Sequence, residues 1–468
     1  MTTSRPGRIT AAAALLLTAT VALTACSASP KDGSGGDSKT ITVWSEENQP
    51  DRVAETKRII AGFTDETGIR VKLVPVDENQ VPQLTASAAI SGDLPDVMGA
   101  IPLSLVRQFD TQDLLDTAAS ANIVRSLGAD TFVDSALALD QDGDRQLAVP
   151  DSSYAQILVY RKDLFEQAGL APPTTYSAIK KAADVLTKRG QYGITLATDP
   201  ADVFTQQTFE SLALGNDCQL VRSSGKVALE STACQATWDL YGHLTAKDSP
   251  QGTQTVDTTR AAYFAGQAAM VDWSTYILDE LGGLRNDALP TCPRCRDDRK
   301  WLAEHSGVVT AISGPDGSDP ATYGEATSWA VMHGANRSAS EQFVQYMMST
   351  GYEQWLGMAP EGKIPLRTGT ASEPDRYQQA WLRMKAGVDR KERLDDIYDA
   401  STMRALESVP KSIRRWAIPQ GQGALLGPFN AQLPVGKSVA DLASGSTTPR
   451  DAAKTAQDAV EEIEAKTR

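Results

Sequence analysis

The sequence lacks the signatures of several enzyme classes. Only 3 of its 468 residues are histidine, and no His-Glu-x-x-His motif occurs, which argues against a zinc peptidase. A Gly-x-Ser-x-Gly elbow and a Walker-type phosphate loop are also absent, so neither a serine hydrolase of that type nor an ATPase is indicated. Beyond the N-terminal segment, no apolar run is long enough to cross a bilayer. Ligand binding and carboxylate-based hydrolysis remain as functions to consider.

Positive charge is also scarce. The chain has 45 Lys and Arg residues against 59 Asp and Glu residues, a formal net charge of −14. This acidity argues against nucleic acid or an anionic membrane surface as the main partner, and it favours neutral or cationic ligands. The hydrophobic content of 41% is ordinary for a globular protein, and the length suffices for two or three compact units.

The N-terminus has the layout of an export signal. Arg5 and Arg8 precede an apolar stretch, and small residues follow it. The run Leu-Thr-Ala-Cys that ends at Cys26 resembles a bacterial lipobox, in which the cysteine is acylated and anchors the chain. We therefore predict a lipoprotein signal over residues 1–26, a flexible tether over 27–39, and a location on the extracellular face of the bacterial cell membrane. A soluble secreted protein with a chance cysteine is the alternative.

Four further cysteines lie in the body of the chain. An even number of cysteines in an exported protein suggests disulfides. We expect local pairing of Cys218 with Cys234 and of Cys292 with Cys295, although cross-pairing remains open. A redox role for the Cys-Pro-Arg-Cys motif is disfavoured because the residues after it do not suggest the required strand-to-helix context. Since no second Cys-x-x-Cys motif exists, a structural zinc site is also disfavoured.

Strand and helix patterns alternate along the chain. "TITVW" at 40–44 predicts a buried strand, and the apolar spacing over 49–68 predicts a helix that ends at a glycine. Further strands are predicted at 156–160 and at "YGITLA" (192–197). A terminal helix begins after Thr448, which is placed to cap it, with proline at its first position. This alternation is typical of an α/β fold with mainly parallel sheets.

Two longer motifs carry a family resemblance. "YRKDLFEQAGLAPPT" begins at Tyr160, and "YFAGQAAM" ends at Met270. Together with "TITVW", "GDLPDVM" and "SASEQFVQYMMSTGYEQWL", these segments resemble the extracellular solute-binding proteins of family 1, which deliver oligosaccharides to ABC importers. The resemblance extends over nearly all of the chain after the tether. The cysteine-bearing insert "PTCPRCRDDRKW" falls outside the family pattern.

The resemblance implies a particular architecture. We expect a two-lobed, periplasmic-binding-protein-like α/β fold of type II, in which each lobe is a mainly parallel sheet flanked by helices and a multi-strand hinge joins the lobes. Lobe 1 would comprise residues 40–151 and 322–368, and lobe 2 would comprise 155–316 and 374–468. The partners implied are a carbohydrate ligand and the transmembrane permease subunits of an importer, with the protein itself a monomer.

Candidate ligand-binding residues follow from the chemistry of sugars. Aromatic rings suit the C–H faces of a sugar, carboxylates suit its hydroxyls, and open α/β sheets bind ligands at strand ends. The positions that combine these features are Trp44, Glu46, Tyr154, Asp272, Trp273, Glu325, Trp329 and Trp416. Packing is the competing interpretation, above all for Trp329 and Trp416, and it is the expected role of Trp238, Trp301, Trp355 and Trp381.

The main hypothesis is therefore a membrane-tethered carbohydrate receptor without catalytic residues, cofactor or metal. A first alternative keeps the fold but replaces the sugar with another polar solute, such as a polyol, a glycerophosphodiester or a peptide. A second, less favoured alternative is a secreted glycoside hydrolase. Its two carboxylates would be difficult to recognise among so many acidic residues.

Overall fold

The computed structural model describes residues 39–467. The predicted signal over 1–26, its Cys26 and the tether up to residue 38 lie outside the described residues. Within 39–467, no helix combines the length and the apolar character that a membrane span requires.

The described range forms a mixed α/β fold, which confirms the predicted class. Its strands are Thr40–Ser45 (β1), Arg70–Pro75 (β2), Val97–Pro102 (β3), Gln141–Asp142 (β4), Arg145–Gln146 (β5), Val149–Arg161 (β6), Met270–Ser274 (β7), Ser306–Val309 (β8), Thr322–Val331 (β9), Ile364–Pro365 (β10), Lys385–Ala386 (β11), Glu392–Arg393 (β12) and Ile413–Arg414 (β13).

The described residues also form the α-helices that flank the strands. They are Pro50–Thr67 (α1), Val81–Ser91 (α2), Leu103–Thr111 (α3), Thr117–Leu127 (α4), Asp134–Leu139 (α5), Lys162–Gln167 (α6), Tyr176–Leu186 (α7), Val203–Leu214 (α8), Thr232–His243 (α9), Val256–Phe264 (α10), Ile277–Leu281 (α11), Trp301–Glu304 (α12), Arg337–Met347 (α13), Tyr352–Leu356 (α14), Arg376–Trp381 (α15), Ala400–Ser412 (α16), Leu426–Gln432 (α17), Pro434–Ala443 (α18) and Pro449–Thr467 (α19).

Local sequence signals explain several of these boundaries. Helix α1 begins with Pro50 at its first position and ends at Gly68, which adopts the left-handed conformation (φ 71°) that glycine tolerates best. Helix α7 begins where the Thr175 side chain accepts a hydrogen bond from the Ala178 amide at 3.1 Å. Thr448 caps α19 through the amide of Asp451 at 3.2 Å. The bounds of α1 and the start of α19 confirm the sequence-based predictions.

Two long strands organise the sheet. Strands β2, β1 and β3 pair in parallel, and β3 then pairs antiparallel with β9. The thirteen-residue β6 pairs antiparallel with β9 and β10 along its first half and with β7 and β8 along its second half. Almost every residue of β6 is buried. Its pairing with β9 and β10 extends the strand well beyond the predicted Gln156–Tyr160.

Three hydrophobic clusters stabilise the fold. One lies among β1, α1, α13 and α14, and a second lies around β3 and α3. The largest surrounds the second half of β6, helices α7 to α9 and α19. The first two clusters draw mainly on the segments predicted for lobe 1, and the largest draws mainly on those predicted for lobe 2. The lobe boundaries themselves stay predictions.

One predicted strand does not form. Over 192–197, only isolated parallel bridges from Tyr192 to Ala268 and from Thr195 to Val271 are present. The intervening Ile194 amide instead donates to the Asp248 carbonyl at 3.0 Å, which breaks the ladder. Gly193 approaches the Ala183 backbone so closely that a Cβ would lie 2.3 Å from its carbonyl oxygen. Close packing against α7 therefore replaces regular strand pairing here.

The disulfide prediction is confirmed. Cys218 is bonded to Cys234, and Cys292 is bonded to Cys295. All four cysteines are buried. The first bridge joins the segment after α8 to the first turn of α9, and the second closes a short loop before α12.

Candidate functional site

A cavity of about 590 Å³ lies beside the two long strands, and we call it the central cavity. Its walls include the β1–α1 connection, the end of β3, the paired middle of β6 and β9, the starts of α8 and α10, the segment from β7 to residue 288, and Glu361 before β10. These segments are distant in sequence. The cavity thus combines strand ends and helix starts, the positions where α/β proteins bind ligands.

Four of the predicted site residues line the central cavity. They are Glu46, Tyr154, Trp273 and Glu325. Tyr154 and Glu325 are direct partners in the β6–β9 register, which explains why residues so far apart in the chain meet here. The assignment of these four side chains as ligand contacts stays a prediction.

The other four predicted residues do not line the central cavity. Asp272 is buried on the opposite face of β7 from Trp273, since side chains alternate along a strand, and its Oδ2 lies 3.5 Å from the Ser211 hydroxyl. Trp44 is half-buried and packs against the cluster around β3 and α3.

Trp329 and Trp416 are core residues, as the competing interpretation held. Trp329 is fully buried, and its ring contacts those of Phe343 and Trp355. The indole of Trp416 is also fully buried and donates to the Cys218 carbonyl at 2.8 Å. Their large apolar area fills the interior, so neither ring is available at the cavity wall.

Aromatic pairs form two parts of the wall. The Trp273 and Phe204 ring centroids are 5.8 Å apart, and the Trp273 indole donates to the Val256 carbonyl at 3.0 Å, which fixes its orientation. The Tyr154 and Tyr276 ring centroids are 5.5 Å apart. Such anchored rings present flat apolar faces, onto which the C–H face of a sugar can stack.

An ionic network fixes the β1–α1 side of the cavity. Glu47 lies 2.5 Å from the Lys363 ammonium and 2.9 Å from the Arg52 guanidinium. Burial opposes the ionisation of Glu47, but the two cations prevail and lower its pKa to about 2. The Lys363 ammonium also lies 4.2 Å from the centre of the Trp355 ring. With these partners satisfied, Glu47 and Lys363 act as a rigid part of the wall.

A second network holds Glu325 in place. Its Oε1 accepts a hydrogen bond from the Leu103 amide at 2.9 Å, and its Oε2 lies 2.6 Å from the Arg415 guanidinium. The same guanidinium lies 3.3 Å from Glu210. Although Glu325 lines the cavity, both of its oxygens are therefore engaged by protein donors. Its clearest role is to join β9 to the start of α3 and to the residues after β13.

Burial raises the pKa of several other carboxyl groups in the wall. Burial raises the pKa of Glu280 to about 7, although Arg260 opposes the shift. Burial together with the neighbouring Glu361 charge raises the pKa of Asp279, and burial raises that of Glu361. Burial, followed by repulsion from nearby carboxylates, raises the pKa of Glu46 well above its ordinary value. The wall thus contains several acids for which burial outweighs the stabilisation that the neighbouring cations give.

Sequence reasoning missed several lining residues. They are Arg52, Phe204, Tyr276, Asp279, Glu280 and Glu361. Tyr276 and the two acids that follow it come soon after β7, so the strand-end rule that selected Trp273 could have found them. Phe204 lies at a helix start and Glu361 in a connection, and no local pattern distinguishes them. Arg367, close in sequence to Glu361, is buried and donates to the Leu127 carbonyl at 2.8 Å, so it is not part of the cavity wall.

One other group of side chains has the composition of a metal site. The ligand atoms of Asp184, His243 and Asp248 lie within 4.8 Å of one another. The Asp184 carboxylate is, however, already contacted at 2.8 Å by the ammonium groups of both Lys180 and Lys247. These cations offset the charge that would attract a metal ion.

Comparison with known proteins places the fold in context. Residues 58–386 match the family model described as bacterial extracellular solute-binding protein. The chain is 28% identical over 327 residues to the "Putative ABC transporter periplasmic-binding protein YcjN" of Escherichia coli (strain K12). The aligned region covers 68% of this chain and 71% of that protein.

Solved structures share the same fold. The GacH receptor of Streptomyces glaucescens GLA.O, crystallised unliganded and with acarbose, has a TM-score of 0.66 at 20% identity, over 91% of this chain and 98% of GacH. A sugar transporter protein of Arthrobacter chlorophenolicus A6 with bound laminaribiose has a TM-score of 0.67 at 17% identity, over 90% of this chain and 99% of that one.

Proposed function

The chain belongs to the bacterial extracellular solute-binding protein family, and we propose that it serves as the binding component of an ABC importer and captures a carbohydrate, an oligosaccharide in size, in the central cavity. The observation that carries this proposal is the pairing of ordered aromatic rings with carboxylates in one cavity of about 590 Å³. Related folds that hold acarbose and laminaribiose support it.

The mechanism we propose is closure of two lobes around the ligand. Lobe 1 would comprise 40–151 and 322–368, and lobe 2 would comprise 155–316 and 374–468. Strands β6 and β9 connect these segments and lie beside the cavity, so a small change in their dihedral angles would alter its width. The ligand must bind the closed form more tightly than the open form, because otherwise it would not shift the equilibrium. The closed form would then engage the permease.

We also propose that the mature chain is a monomer held at the outer face of the membrane by acylated Cys26. The support is the lipobox-like sequence and the small, polar character of the segment that follows it. Metabolic labelling with a radioactive or clickable fatty acid tests this proposal. Label should be incorporated into the wild type and be lost in Cys26→Ser, and equal labelling of both proteins would contradict the anchor.

The function is tested by a binding screen on the purified mature chain. We expect one or more di- or oligosaccharides, drawn from neutral and amine-bearing sets, to raise the melting temperature. No reducing ends should be released, since the function requires no bond cleavage. Stabilisation only by a polyol, a glycerophosphodiester or a peptide would favour the alternative receptor. Release of sugar would favour a hydrolase.

A further inference from the structure

The central cavity is lined by many more acidic than basic side chains. Within residues 39–467, ten carboxylate side chains but only three arginines line it. Lys363 and Arg415 lie behind the wall and engage lining acids, and even with them the acids outnumber the cations two to one. A cavity built for hydroxyl groups alone needs no such imbalance, because hydroxyls are neutral donors and acceptors.

The three arginines are already paired. Arg52 lies 2.9 Å from Glu47, Arg260 lies 2.7 Å from Glu280, and Arg285 lies 3.0 Å from Asp287. They therefore offset charges that belong to their own partners. Arg52 and Arg285 also act on Asp279 and Glu361, but their effect on the pKa of these two acids is smaller than the opposing effect of burial.

Five carboxylates in the wall make no ion pair within the described part of the chain: Glu46, Glu78, Asp202, Asp279 and Glu361. Glu361 and Asp279 are each only 2% exposed. The Oε2 atom of Glu361 and the Oε1 atom of Glu46 are buried without a hydrogen-bond partner. Unpaired carboxylates are costly to bury, so a ligand that supplies positive donors would be strongly favoured at these positions.

A metal ion does not fit this arrangement. Within residues 39–467, no three of the lining carboxylates bring ligand atoms within 4.8 Å of one another. The acids are instead distributed among the β1–α1 connection, α11 and the segment before β10. A distributed set matches an organic molecule with one or more spaced cationic groups better than a single ion.

Building on the proposed function, we infer that the central cavity selects amine-bearing carbohydrates over their neutral counterparts. The rings of Trp273 and Tyr154 would contact the sugar faces, and the ammonium group would lie against Asp279 and Glu361. A hydrogen bond between an ammonium and a carboxylate is roughly twice as strong as one between neutral groups. The aromatic pairs favour an amino sugar over a simple polyamine, which offers no flat C–H face.

The direct test is competition between matched ligands. Purified mature protein is incubated with equimolar pairs that differ in one group: gluco-oligosaccharides and their amino-deoxy forms, and chito-oligosaccharides before and after deacetylation. Native mass spectrometry measures the occupancy of each ligand, and spermidine serves as a cation without a ring. We expect the amine-bearing member to bind at least tenfold more tightly, with an advantage that shrinks as salt is added.

Several outcomes would overturn the inference. If neutral members bind as tightly as their amine-bearing partners, the charge preference is wrong while the carbohydrate receptor stands. If spermidine outcompetes every sugar, the ligand is a polyamine rather than a carbohydrate. If no carbohydrate of either kind binds, the proposed function fails as well.

Two variants locate the preference in the wall. Asp279→Asn and Glu361→Gln remove one charge each with little change of shape, and either should reduce the preference for the amine at least threefold. Asp395→Asn is the matched control, because this carboxylate lies outside the cavity and pairs with Arg393. An unchanged preference in both cavity variants, or an equal reduction in the control, would contradict the assignment.

Discussion

Two groups of buried carboxylates in this protein have opposite environments. Glu210 and Glu325 share the guanidinium of Arg415, and Glu325 also accepts a backbone amide, so their charges are satisfied within the protein. Asp279 and Glu361 are as deeply buried but form no ion pair in the described residues. Burial alone therefore does not reveal the role of an acidic side chain. The presence or absence of a protein partner separates a structural carboxylate from one available to a ligand.

Removal of the cation that Glu210 and Glu325 share should have the largest effect on stability. Arg415→Met leaves two buried carboxylates uncompensated, and we expect the free energy of unfolding to fall by about 3–5 kcal/mol. Urea denaturation measures the change. Arg393→Met removes an exposed pair with Asp395 and is the control, for which we expect no measurable change in stability. A loss below about 1 kcal/mol for Arg415→Met would show that the network contributes little to stability.

The stability of the folded protein should depend on pH through Glu361, which has no ion-pair partner in the described residues. Burial raises the pKa of Glu361 to about 7 in the folded protein. Its contribution to stability is complete below its unfolded-state pKa and is lost as pH rises through about 7, because the folded state must then hold a buried charge. Glu361→Gln cannot ionise, so its stability relative to wild type should increase by about 2 kcal/mol between pH 5 and pH 8.

Urea titrations at the two pH values test this second prediction. Glu166→Gln, which replaces an exposed acid outside the cavity, is the control and should show no comparable gain. If Glu361→Gln became less stable than wild type as the pH rises, the Glu361 carboxylate would have a partner that stabilises its charge.

The aromatic part of the wall should contribute to affinity rather than to charge selection. Trp273→Ala removes the ring that packs against Phe204, and we expect at least tenfold weaker ligand binding, about 1.4 kcal/mol. Calorimetry measures the affinity. Trp301→Ala is the matched control, since this half-buried indole lies outside the cavity and stacks on His305. Unchanged affinity in Trp273→Ala would show that the ring only packs.

The smallest expected effect concerns one hydroxyl. Tyr154→Phe keeps the ring beside Tyr276 but removes a polar atom from the wall, so affinity should fall about three- to tenfold, as for one neutral hydrogen bond. Tyr346→Phe, outside the cavity, should bind like wild type. A loss for Tyr154→Phe larger than that for Trp273→Ala would reverse the assumed importance of stacking and hydrogen bonding.

Elements with strong local signals were predictable. Helix α1 ends at Gly68 and α7 begins at Thr175, because capping depends on neighbouring residues alone. The local disulfides were predictable for a related reason, since short separations favour pairing. The strand predicted over 192–197 does not form, because the Ile194 amide donates to the carbonyl of Asp248, which is distant in sequence. The local pattern of residues cannot predict such a contact.

The candidate site shows the same division. Trp273 and Asp272 are adjacent in β7, but only Trp273 lines the cavity. Successive side chains of a strand point to opposite faces, so only one of the two can face the cavity. For Trp329 and Trp416, the nearby chain offered no distinction between cleft and core. Their burial depends on partners such as Phe343 and the Cys218 carbonyl, which come from other elements.

From the amino-acid sequence alone, the α/β class, the capped ends of helices such as α1 and α19 and the acidity of this protein could be predicted, and local cysteine pairing was favoured, because propensity, capping and composition act over short distances. Only the tertiary structure decided which acids are neutralised and which remain unpaired. The charge state of a buried carboxylate depends on the few ångströms around it: Arg415 forms an ion pair with Glu325 across 90 residues of chain, whereas Glu361 forms no ion pair within residues 39–467.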